Sequence, residues 1–143
     1  MNLLDPVKKV MTTKLITVSE EDTLETITNI FEMHAIHHIP VVRFKEIVGM
    51  ITKTDYLSYL KGVQLLDDVS YREIKAHEVM TTKLAKIEPL DRIQLAIELF
   101  TLNRFHALPV VEKDELVGIV TPHDILVQLA HQPITLKDYS EGT

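Results

Sequence analysis

The chain has 143 residues, a net charge of −6 and no cysteine. It therefore holds no disulfide framework, thiolate nucleophile or cysteine metal site, and its acidic balance argues against binding nucleic acid through the phosphate backbone. Apolar residues make up 45% and charged residues 25%, the balance of a globular domain, and no uncharged apolar run approaches the roughly 18 residues of a membrane span.

The opening segment, Met1-Asn2-Leu3-Leu4-Asp5-Pro6, lacks the basic stretch and apolar core of a signal peptide, so a cytoplasmic protein is expected. Val10-Met11-Thr12-Thr13-Lys14-Leu15 follows and returns unchanged as Val79-Met80-Thr81-Thr82-Lys83-Leu84. The same offset carries Pro40-Val41-Val42 onto Pro109-Val110-Val111. It also carries Gly49-Met50-Ile51-Thr52-Lys53-Thr54-Asp55 onto Gly118-Ile119-Val120-Thr121-Pro122-His123-Asp124. An internal repeat means two copies of one supersecondary unit stacked together. A unit of about 55 residues is marginal alone, so the copies are expected to share one core.

In the first copy, Ile16-Thr17-Val18 reads as a short strand. Ser19-Glu20-Glu21-Asp22 supplies helix-start chemistry, and Leu24, Ile27, Ile30, Phe31 and His34 then recur at helical spacing. That predicts a helix of about 12–14 residues. Ile39–Val42 and Ile47–Ile51 are strand-length apolar runs around the polar Phe44-Lys45-Glu46, hence an antiparallel hairpin. A second helix is expected from Thr52 to about Leu60. Gly62 would open a connector, Lys61–His77, with a capping box at Ser70 and Glu73. The second copy reads alike: a strand near Lys86-Ile87, a helix from Asp91 to Asn103, hairpin strands Leu108–Val111 and Leu116–Val120, and a helix from Thr121 to Ala130. Pro133 ends it before a tail, Ile134–Thr143. The expected division is residues 1–61, 62–77, 78–130 and 131–143.

The fold class is α+β, two tandem β-α-β-β-α units. With the Met-Thr opening, the x-Pro-Val-Val strand and the Gly-h-h-Thr-x-x-Asp turn (h, apolar) each found twice in order, the chain resembles a tandem pair of cystathionine β-synthase (CBS) domains. The resemblance covers about Pro6 to Ala130. It implies a disc-like pair related by a pseudo-twofold axis, with two clefts that bind adenosine-containing ligands: AMP, ADP, ATP or S-adenosylmethionine.

Thr52 and Thr121 sit at strand-to-helix junctions, where free N–H groups suit a phosphate. Asp55 and Asp124 lie three residues on, and a carboxylate there should accept ribose hydroxyls instead. The resemblance implies those roles. The base would be sandwiched by the opposite copy: Ala85, Lys86, Ile87, Val110 and Val111 for the Asp55 cleft, and Ile16, Thr17, Val18, Val41 and Val42 for the Asp124 cleft. His37, His38, Lys53, His106 and His123 are the expected phosphate contacts. Neutral imidazole is a weak counter-charge and no arginine occupies the His37-His38 position or its repeat. A monophosphate is therefore expected to bind best, with affinity rising below about pH 6.5. The same Thr-x-x-Asp pattern is also a complete helix cap with no ligand at all.

His34, His37 and His38 have the i, i+3, i+4 spacing of zinc ligands, but no acid or fourth ligand accompanies them, and no metal is expected. Leu95, Ile97 and Leu102 give the long helix of the second copy more apolar surface than one face needs, which suggests contact with the tail, with the other copy, or a homodimer face.

A free-standing regulatory sensor of an adenosine nucleotide is the leading reading. It would require no cofactor and would act through dimer rearrangement or an unidentified protein effector. The alternative is a ligand-free interaction or dimerisation module. Catalysis is not expected, since the chain has neither a Gly-x-Ser-x-Gly elbow nor a Gly-rich, lysine-containing phosphate loop.

Overall fold

The computed structural model describes residues 1–64 and 72–132. In the first repeat, strand β1 (Val18–Ser19) leads to helix α1 (Leu24–Met33), strands β2 (His38–Arg43) and β3 (Glu46–Thr52), and helix α2 (Lys53–Gln64). The second follows with α3 (Ala76–Val79), α4 (Ile93–Thr101), β4 (Leu108–Glu112), β5 (Glu115–Val120) and α5 (Pro122–Ala130). The expected capping box at Ser70 and the tail from Pro133 lie outside the described residues.

Thr23 caps α1 by accepting from Thr26 N, and Leu24, Ile27, Thr28 and Phe31 form its buried face. The helix stops after 10 residues because His34 is already extended, so it is shorter than its periodicity predicts. His34, His37 and His38 consequently share no helical face, and the zinc-like spacing has no geometric meaning. Helix α2 instead runs through Gly62 to Gln64, past the expected start of the connector. Its Tyr56 hydroxyl donates to the Thr28 hydroxyl at 2.8 Å, which ties the two helices together inside the core. Helix α4 is shorter than expected. Leu95 and Leu102 are exposed, whereas Ile97 packs against the second repeat's core.

The two hairpins repeat in detail. β2 and β3 are antiparallel with an irregularity between Val41 and Val42, and β4 and β5 have theirs between Val110 and Val111. Phe44 and its counterpart Lys113 turn the hairpins with φ of 58° and 50°. Strand β1 lies parallel to β2 with Val18 opposite Val41. The strand expected near Lys86-Ile87 is reduced to a single parallel bridge, Ile87 to Val110.

The repeats share their interior by exchanging their opening segments. Val7 N donates to Asp91 O at 2.7 Å, Ile93 N to Asp5 O at 2.9 Å, and Thr12 exchanges backbone bonds with Ile119. Val7 and Val10 are thus buried among Ile87, Ile93, Leu108 and Val120. Conversely, Ala76 N donates to Asp22 O at 2.7 Å and Thr81 exchanges backbone bonds with Met50, so Ala76 and Val79 complete the core around Leu24, Ile27 and Val41. Each valine so buried contributes about 1.5–3 kcal/mol relative to exposure. Ile47, Met50 and Ile119, with Leu15 and Leu84 against them, join the two halves. The opening segment of each repeat therefore packs in the core of the other.

This exchange explains why the Met-Thr and glycine motifs travel together. A Cβ on Gly49 would run into the side chain of Met80, and one on Gly118 would meet Met11 Sδ at 2.7 Å and Thr12 O at 3.1 Å. Only glycine lets the opening segment of the other repeat lie on the strand. Overpacking at such a contact costs about 1–3 kcal/mol, so Gly49→Val is expected to lower the unfolding free energy by that amount, read from the shift of the urea midpoint at unchanged m-value.

Candidate functional site

Because Thr81 is paired to Met50, the opening segment of the second repeat forms one wall of a cleft above the start of α2. The cleft has a volume of about 920 Å³. Thr52, Lys53, Thr54 and Asp55 form its floor, Thr81, Lys83 and Leu84 one side, and Arg104, Phe105, His106 and Ala107 the other, with His37, His38 and Met50 between. Thr52 Oγ1 accepts from Asp55 N at 3.1 Å, which caps α2 and turns its positive dipole end toward the cleft.

The cleft is cationic within an acidic protein. Lys53, Lys83 and Arg104 line it, and among the described residues none of them is in an ion pair. Asp55 is the sole acid of the lining. It is exposed, and its carboxylate accepts no hydrogen bond among the described residues. An open carboxylate beside a helix N-terminus and three unpaired cations can hold a ligand with vicinal hydroxyls at one end and an anion at the other.

Burial holds His38 below its ordinary value, and the positive charge that His37 and His106 take on pushes the same way. Lys53, Lys83 and Arg104 line the same cleft, so protonation of His38 only adds to a crowded positive charge. The native state binds this proton later than the unfolded chain does, so stability is full above about pH 6.5 and falls as pH drops below it. A ligand-free melting series between about pH 7.5 and 5.5 is expected to show that loss, and His38→Gln to reduce it.

None of the base-binding residues expected for the Asp55 cleft is in its lining. Val18, Val41, Ile87 and Val110 are buried in the two repeat cores, because the parallel bridges turn them inward. Val111 packs in the joining cluster. Ala85 and Lys86 are not in the lining of the Asp55 cleft either, and Ile16, Thr17 and Val42 belong to the expectation for the Asp124 side. The apolar walls are instead Met50, Leu84, Phe105 and Ala107, just beside the predicted segments in sequence. His37, His38, Lys53 and His106 are brought together there, whereas His123 lies exposed at the start of α5. Lys83 and Arg104 were missed. Lys83 belongs to the repeated opening segment, and Arg104 lies two residues before His106.

The counterpart position around Thr121 and Asp124 differs in its bonding. Asp124 Oδ1 accepts from Thr12 Oγ1 at 2.7 Å, and Oδ2 accepts from Thr121 N at 2.8 Å and Thr121 Oγ1 at 3.0 Å. Asp124 is half-buried, and it completes a capping box on α5, which has Pro122 in its first turn.

A family model for the CBS domain matches residues 7–62 and again 76–131. The chain is a tandem pair of CBS domains. It is 31% identical over 124 residues to the CBS domain-containing protein YhcV of Bacillus subtilis, covering 87% of this chain and 85% of that protein. It is also 30% identical to inosine-5'-monophosphate dehydrogenase of Korarchaeum cryptofilum over 87% of this chain, but spans only 24% of that enzyme. Among solved structures, CBSX2 in complex with AMP superposes with a TM-score of 0.75 at 21% identity, over 88% of this chain and 96% of that one. The CBS domain pair of MJ0100, in complex with 5'-methylthioadenosine and S-adenosyl-L-methionine, does so at 0.74 and 22%, over 89% and 97%. These likenesses establish the CBS-pair fold. No helix among the described residues is long and apolar enough to cross a membrane.

Proposed function

We propose that this CBS pair is a regulatory sensor that binds an adenosine nucleotide in the cleft above α2. The observation that carries the reading is the uncompensated trio Lys53, Lys83 and Arg104 around an unbonded Asp55. Asp55 accepts the ribose hydroxyls, Thr52 and the α2 N-terminus meet the phosphate nearest the sugar, and Lys83 and Arg104 with the histidines meet those beyond. Met50, Leu84, Phe105 and Ala107 enclose the base. Adenosine compounds in the related CBSX2 and MJ0100 pairs support the ligand class.

The charge favours a nucleotide over S-adenosylmethionine, whose sulfonium adds a cation to a cationic site. It also removes the reason to expect a monophosphate, since that expectation rested on there being no arginine. Occupancy would signal through its difference in affinity for two arrangements of a dimer or partner complex. Leu102 and Leu126, on the second repeat and 58% and 61% exposed, provide apolar surface for a second copy. The reading requires no metal and no catalytic step.

Thermal unfolding with ATP, ADP, AMP, S-adenosylmethionine and GTP tests it. A ligand at a hundred times its dissociation constant adds about 2.7 kcal/mol, so ATP is expected to raise the midpoint by about 5–10 °C and S-adenosylmethionine by less. A flat panel would favour the ligand-free interaction module.

A further inference from the structure

The duplication provides an internal control on the second cleft. Thr12 and Thr81 are counterparts, and each is held by the same paired backbone bonds, Thr12 to Ile119 and Thr81 to Met50. Only their side chains differ in use. Thr12 Oγ1 donates to Asp124 at 2.7 Å, whereas Thr81 Oγ1 accepts from Lys83 N at 3.4 Å and leaves Asp55 unbonded. Asp124 thus has both oxygens engaged by the protein, Oδ1 by Thr12 and Oδ2 by Thr121. A ribose entering there must displace a charge-assisted bond before it forms its own.

A second, independent difference lies in the sequence. The counterpart of Lys53 is Pro122, and the counterpart of Arg104 is Ala35. The second cleft therefore keeps one of three permanent cations, Lys14 in place of Lys83. Its helix begins on a residue with no N–H to offer a phosphate.

We propose that Thr12 is a specificity-determining latch: its hydroxyl occupies Asp124 and closes the second cleft, so the pair takes up one nucleotide per chain, above α2. The inference rests on the nucleotide-binding reading of the first cleft. It makes the two motif copies unequal, one open to ligand and one serving as a strut between the chain's first residues and α5.

Calorimetric titration of AMP and ATP into the intact protein and its Thr12→Val variant tests it. Valine preserves the shape and the backbone pairing with Ile119 but removes the donor. The wild type is expected to bind one AMP per chain and Thr12→Val two, the second being weaker and lost again in Thr12→Val/Asp124→Asn. Thr12→Ser, which keeps the hydroxyl, is expected to stay at one. Two sites in the wild type, or an unchanged single site in Thr12→Val of native circular dichroism, would overturn the latch while leaving the first cleft's role intact. Absence of binding in the wild type would overturn the nucleotide reading and the latch with it.

Discussion

Replacing Asp55 with alanine is expected to weaken ATP binding about a hundredfold while leaving the ligand-free melting temperature nearly unchanged. Replacing Asp124 is expected to do the reverse. The two aspartates occupy the same place in a duplicated motif, but the structure uses them differently. The Asp55 carboxylate accepts nothing among the described residues and faces the cleft, so its removal takes away only ligand contacts. Two hydrogen bonds to a charged acceptor are worth about 3 kcal/mol, or two orders of magnitude in affinity. Asp124 accepts from Thr12 and from both polar groups of Thr121. Asp124→Ala removes a cap and leaves those donors to water, at about 1–3 kcal/mol, or about 3–10 °C in midpoint, with ATP affinity held within about twofold. Melting curves of both variants with and without ATP check the crossed pattern. Equal ligand effects of the two substitutions would contradict it.

The second large effect concerns phosphate count. Lys83 and Arg104 reach the cleft from different elements and are exposed, so each acts through a partly screened charge. Lys83→Ala/Arg104→Ala is expected to lower ATP affinity about a hundredfold and AMP affinity less than tenfold, with a shallower salt dependence for ATP. Titrations of both nucleotides at two ionic strengths measure this. Equal losses for AMP and ATP would place the two cations at the sugar or base end instead.

Local signals in the sequence located the elements well. The apolar run Ile47–Ile51, the Thr121 cap with Asp124 and the polar hairpin turns each act over a few residues, and each is present where expected. The exchange of opening segments was harder to read, because Val7 with Asp91 and Thr81 with Met50 meet only through tertiary packing. The signal was nevertheless present: Gly49 and Gly118 recur with Met80 and Met11 because each glycine makes room for the other repeat's methionine. Two of the base walls expected for the Asp55 cleft are core residues for a related reason. Ile87 and Val110 look like cleft walls as isolated apolar residues, but a parallel bridge between them turns both into the core. Arg104 lies outside the repeated motifs, its counterpart being Ala35, and only the turn after α4 brings it to the cleft. The inequality of Asp55 and Asp124 is legible in the repeat only through their neighbours, Lys53 against Pro122 and Arg104 against Ala35, because duplication copies both aspartates and packing decides the hydrogen bond from Thr12.

The position of the bound nucleotide is the most direct test of a sensor cleft above α2. Amide chemical-shift mapping of the isotope-labelled protein during an ATP titration addresses this. Saturating changes are predicted at Thr52–Asp55, Thr81–Leu84 and Arg104–Ala107, three segments distant in sequence that meet only in this cleft. No change at millimolar ATP, or changes gathered around Thr121 and Asp124 instead, would contradict it.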